Sequence, residues 1–83
     1  MTIEELKKAA GEVRETRRPG CFQLGRAIKV RCIKFVSYAG IRVTISVGDV
    51  LHALQLDESG LSGPTVAFRE KIYWWPIDCF ELV

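Results

Sequence analysis

One histidine, three cysteines and a few scattered carboxylates are the residues of this 83-residue chain that could do nucleophilic or metal chemistry. His52 sits inside "VLHAL", between apolar neighbours. To act as a general base it needs a nucleophile and an orienting group within hydrogen-bond reach. A set of Cys32 or Cys79 with His52 and Asp49 can be drawn, but no spacing demands it. Cys21, Cys32, Cys79 and His52 are zinc-ligand types without the paired Cys-x-x-Cys spacing of zinc modules. "SGLSG" at 59–63 has two glycines but no following Lys-Ser/Thr and no helix signal, so it reads as a loop and not a phosphate cradle. The expectation is a non-enzymatic protein with no catalytic residue, no metal and no cofactor.

Two other groupings could bind. Seven of the twelve basic residues fall within 14–34: Arg14, Arg17, Arg18, Arg26, Lys29, Arg31 and Lys34, with Glu15 the only acid among them. Lys29 and Arg31 share one face of a strand and Arg26 and Lys34 flank them, a cluster able to grip a nucleic-acid backbone. The same charges would also suit a solvated strand face and keep an edge from aggregating. The second grouping is "YWWP": Tyr73, Trp74, Trp75 and Pro76. Successive strand side chains point to opposite faces, so one tryptophan faces in and its neighbour faces out or into a groove. Alternation pairs Tyr73 with Trp75 and Ile72 with Trp74. An exposed tryptophan beside a proline is a common interface anchor.

Composition narrows the class. The net charge of +2 is too small by itself to argue a nucleic-acid partner, and the 48% hydrophobic and 27% charged content is that of an ordered globular domain. No apolar run reaches the roughly 18–20 residues of a membrane span, and "MTIEELKKAAGEVRETRR" has no signal-peptide core. An odd set of three cysteines fits a reducing compartment, with Cys32 and Cys79 as small buried hydrophobes. The expected location is cytoplasmic.

The elements that must position these residues follow from periodicity. Thr2 and Glu5 make a capping box, and Ile3, Leu6, Ala9, Ala10 and Val13 form one narrow stripe, which predicts a helix over 2–17. Gly11 weakens its middle, and Pro19-Gly20 ends it. Such a stripe of mostly small residues suits weak docking, contact with a partner, or a mobile arm. From Cys21 the period is two. "AIKVRCIKFV" and "IRVTISV" alternate, and "VLHALQL" is apolar on both sides, as in a central strand. "DESGLSGP" is the clearest loop. "TVAFR" and "IYWW" form a hairpin turning at Glu70-Lys71. Pro76 breaks the second of these, "PIDCF" makes a tight helical turn, and "FELV" is a closing strand.

One helix followed by about five short strands argues a small barrel or sandwich. "WWPIDCFELV", with Pro76 opening a helical turn and Phe80 following it, resembles the SH3-like small barrels. Val47-Gly48-Asp49-Val50-Leu51 is similar to the segment entering the second strand of small phage and bacterial members. The resemblance covers 26–83, and the N-terminal helix lies outside it. The expected fold is mainly β, a helix over 1–18 followed by a five-stranded SH3-like barrel over 19–83. The resemblance further implies a phage- or prophage-type accessory module that docks on a protein through Tyr73, Trp74, Trp75 and Pro76. The "A-L-Y-D-Y" opening and the acidic loop of proline-peptide binders are absent, so that recognition is not implied. The alternatives are a nucleic-acid-binding barrel using Arg26, Lys29, Arg31 and Lys34, or a scaffold subunit that oligomerises through its helix; for Tyr73–Pro76 the alternative to docking is coverage by the protein itself or a homodimer contact.

Overall fold

The computed structural model describes residues 1–38, 40 and 43–83. Helix α1 spans Ile3–Ala10. Its start is the predicted capping box: Thr2 Oγ1 accepts the Glu5 N–H at 3.1 Å, and Glu5 accepts the Thr2 N–H at 2.9 Å. These hydrogen bonds hold the Glu5 carboxyl below its ordinary value. The helix ends earlier than the stripe suggests. Gly11 takes φ 73° and its N–H closes on the carbonyls of Lys7 and Lys8, a left-handed cap that costs little only at glycine. The chain then runs as a strand, β1 (Val13–Glu15), where the sequence predicted helix.

The helix is not a mobile arm. Leu6 is fully buried and Ala10 nearly so, both in the main core. Burying a leucine of this kind contributes about 1.5–3 kcal/mol. Lys7 lies over the Phe22 ring and pairs with Glu58 at 2.5 Å, which ties the outer side of the helix to the loop after the central strand.

Seven further strands follow: β2 (Cys21–Cys32), β3 (Val36–Ser37), β4 (Thr44–Ile45), β5 (Val50–Asp57), β6 (Thr65–Phe68), β7 (Trp74–Pro76) and β8 (Phe80–Leu82). One 3-10 turn, Ile77–Cys79, separates the last two. The expected strand "IRVTISV" is represented by β4 alone, and its Ile41 and Arg42 lie outside the described residues. The main sheet is antiparallel in the order β1-β2-β5-β6-β7, and β8 joins β2 on the edge that β1 also uses. β3 and β4 form a separate two-stranded ribbon. The architecture is therefore mainly β with one N-terminal helix. Among the described residues there are eight strands and not five, and the hydrogen-bonded path does not close, because β7 and β8 pair with different neighbours.

β2 is long because it bends. Its register against β5 jumps between Gln23 and Ile28, so that residues 24–27 oppose Leu54 alone. A bulge of this size turns the strand and lets one half meet β1 and the other β8. Gly25 sits in the bulge. A Cβ there would lie 2.7 Å from the Glu12 carbonyl, which already accepts the Gly25 N–H, so only glycine fits.

The core is the inner face of this sheet closed by α1. Trp75 and Phe80 are its largest fully buried side chains, with Leu6, Ile45, Leu51, Leu56, Ile77, Val30, Val66 and Cys32 around them. The three cysteines are free thiols, all buried. No helix of the described residues is long and apolar enough to cross a membrane.

Candidate functional site

The register of the sheet decides the two tryptophans. Phe22, Leu56, Val66 and Trp75 are successive cross-strand partners from β2 to β7, and they form one inward row. Gln23, Gln55, Ala67 and Trp74 form the adjacent outward row. Trp75 has no exposed surface, and its indole Nε1–H donates to the Ile72 carbonyl at 2.9 Å. It is a core residue and is removed from the candidate surface. Trp74 is half-buried on the outer face, with the Arg18 guanidinium 5.1 Å from its ring centroid. Arg18 also pairs with Asp57. The Ser59 hydroxyl and N–H donate to Asp57, and these hydrogen bonds, with Arg18, hold its carboxyl below the usual range.

The predicted pairing of Tyr73 with Trp75 on one face does not occur. Alternation applies only inside a strand, and β7 begins at Trp74. Tyr73 belongs to the turn 69–73 and takes φ 71°, the one non-glycine residue with positive φ among those described. A bulky residue is rarely held there, at a cost on the order of 1–3 kcal/mol. The residue is nevertheless about half exposed, at 49%, and Ile72 beside it is 63% exposed. The turn is well fixed. Tyr38 meets Tyr73 edge-on at 6.4 Å and packs on Trp75 at 4.8 Å, and its hydroxyl donates to the Trp74 carbonyl. Burial, then the charge of Cys79, pushes the Tyr38 phenol up, so it remains a donor.

These contacts also blunt the sheet edge at β7. Pro76, which pairs with Thr65, has no N–H to offer, and the outward Trp74 carbonyl is occupied by Tyr38. The exposed apolar surface of Ile72 and Tyr73, with Trp74 at its margin, is thus presented by side chains and not by an open strand. Arg69 and Lys71 lie in the same turn and have no ion-pair partner among the described residues. The sequence does not single out Tyr38, and it marks Ile72 only as sharing a face with Trp74 and Arg18 only as one of the basic run. Tyr38 reaches the corner from the β3–β4 ribbon, and no local pattern signals that contact.

The basic cluster separates into different roles. Arg26 donates from Nε and Nη2 to the Ala9 carbonyl at 3.2 and 2.7 Å, so it caps the last turn of α1. Arg31 lies 3.6 Å from Glu81 of β8. Lys29 and Lys34 are exposed without an ion partner among the described residues. Phe35, next to Lys34, is 58% exposed.

His52 does not meet the thiols. It points from the outer face of β5, while Cys32 lies in the core. Its Nδ1 is 2.5 Å from Glu70 Oε2, and its backbone N–H donates to Glu70 Oε1 at 2.8 Å. Burial, followed by the charge of Cys32, pushes the Cys79 thiol up, away from thiolate reactivity. No three His, Cys, Asp or Glu side chains among the described residues are grouped to hold a metal ion. No protein-family model, no curated protein and no solved structure matches this chain.

Proposed function

We propose that this protein is a non-enzymatic docking module of the phage accessory type whose contact surface is Ile72, Tyr73 and Trp74, backed by Pro76. The observation that carries the reading is the exposed, strained Tyr73. Glycine would take φ 71° without strain, yet a large aromatic is held there with half its surface in water. Its neighbour Ile72 is more exposed still, while Trp75 and Tyr38 fix the turn from beneath. A rigid apolar and aromatic centre with Arg18, Arg69 and Lys71 around it has the composition of a protein interface.

The fold reading behind this is an SH3-like five-stranded barrel made of β2, β5, β6, β7 and β8, with β1 and the β3–β4 ribbon as additions. What supports it is the order. Four strands follow one another across the sheet, a 3-10 turn opened by Pro76 comes next, and β8 returns to pair with β2. The non-enzymatic reading rests on the occupied imidazole of His52, the burial of all three thiols and the raised Cys79 thiol.

A second reading, a nucleic-acid-binding barrel, is favoured by the exposed Phe35 beside Lys34 and by Lys29, where a ring and free cations are near in sequence. One experiment separates the two. Wild type, an Ile72→Ser/Tyr73→Gly variant and a Lys29→Glu/Lys34→Glu variant are compared for capture of a protein from the native cell and for binding random DNA and RNA at two salt concentrations. Loss of a captured protein in the first variant alone supports docking. Salt-sensitive nucleic-acid binding lost in the second variant overturns it.

A further inference from the structure

β1 and β8 both add to the same edge of β2, and they do not meet. β1 pairs with Phe22, Gln23 and Leu24, and β8 pairs with Val30, Arg31 and Cys32. One further contact extends each pairing: the Gly25 N–H donates to the Glu12 carbonyl, and the Val83 N–H donates to the Lys29 carbonyl. Ala27 lies between them. Alternate residues of a strand turn their backbone groups to the same edge. The alternation holds through this stretch, since Leu24, Ile28 and Val30 are all buried. Ala27 therefore presents its N–H and carbonyl to the edge that Gly25 and Lys29 use, where neither neighbouring strand reaches.

The gap is a groove of about 270 Å³. Ala9, Ala27, Ile28 and Leu82 supply carbon to its walls, and Arg26 and Lys29 bring two cations to it. No Asp or Glu lines it, and no carboxylate among the described residues lies within ion-pair distance of Arg26 or Lys29. Arg26 is already fixed: its Nε and Nη2 donate to the Ala9 carbonyl at the end of α1. That contact uses two of the five guanidinium N–H groups and leaves the others for a ligand. A guanidinium held in one place loses little further freedom when an anion binds.

We infer that this groove is a binding site for a small aliphatic carboxylate. The Ala27 N–H, Arg26 and Lys29 are donors for its oxygens, and the apolar walls take its carbon chain. The volume is just below the roughly 300–1,000 Å³ of pockets that hold drug-sized ligands, so the chain is short. An inorganic anion would leave the apolar walls unused. The same chemistry is offered by a free acid and by the carboxylate end of a peptide whose last residue is aliphatic. The site shares no residue with the docking corner and does not rest on that reading.

The test is an NMR titration of the isotope-labelled whole chain with sodium hexanoate. Hexanol is the neutral control, and an N-acetylated peptide ending in leucine is the second arm. The expected result is a saturable shift of the Arg26, Ala27 and Lys29 amides with a carboxylate and none with hexanol, the Ala27 amide moving most. Lys29→Gln weakens the binding about fivefold, the effect of losing one exposed ion pair. Ala27→Leu fills the groove and abolishes binding with both cations kept. Lys29→Gln changes only an exposed side chain, so the test stands even if Ala27→Leu does not fold. A response to hexanoate assigns the site to a free acid, and a response to the peptide alone assigns it to a chain end. No saturable shift with either carboxylate, an equal shift with hexanol, or wild-type affinity in a folded variant overturns the inference.

Discussion

The aromatic corner and the basic face of β2 are both rich in residue types used for binding, and they differ in what those residues already do. Of the four cations singled out on β2 and just beyond it, Arg26 caps α1 and Arg31 lies beside Glu81. Half of the cluster thus has work inside the molecule. At the corner, Trp75, Tyr38 and the Trp74 carbonyl are internal structure, but Ile72 and the strained Tyr73 serve no core and still hold apolar surface in water. Charge on a strand face is explained by solvation. A strained, exposed aromatic on a fixed turn is not.

The largest effect expected from breaking this contrast is at its structural side. Trp75→Ala removes a fully buried indole and costs about 3–5 kcal/mol in urea unfolding, a large part of the stability of a domain this size. Leu6→Ala follows, at about 2–5 kcal/mol, because the helix completes the core. Arg26→Ala should cost about 1 kcal/mol by releasing the Ala9 carbonyl, with nucleic-acid titrations unchanged.

Glu70→Gln is smaller again, within about 1 kcal/mol near neutrality, since the pair is partly exposed. Its signature is the acid limb. Wild-type stability falls as pH drops through the depressed titration of Glu70, and the variant loses that part of the slope in acid denaturation. Tyr73→Gly sits at the bottom of the scale. It relieves the positive φ and loses one edge contact with Tyr38, so stability stays within about 1 kcal/mol while docking is lost.

What could be read from the sequence was local. The Thr2–Glu5 box, the central strand β5, the loop that follows it after Asp57 and the Pro76-opened turn depend on residues within a few positions of each other. What could not be read was set by distant partners. β1 exists because β2 pairs with it, and Gly11 ends the helix although the apolar stripe runs on to Val13. The bulge in β2 needs the Glu12 carbonyl against Gly25. The tryptophan alternation was right in principle, one in and one out, and was mis-phased for Tyr73 because the left-handed residue lies in the turn before the strand. Arg26 looks like surface charge until the helix terminus is placed beside it.

The most direct test of the docking claim is site-specific photocrosslinking in the native cell, with a benzophenone amino acid replacing Tyr73 in one protein and Lys29 in another. A discrete protein adduct from position 73, and none from position 29, is the predicted result. A nucleic-acid or protein adduct from position 29 with nothing at 73 would contradict the account and move the binding surface to the basic strand.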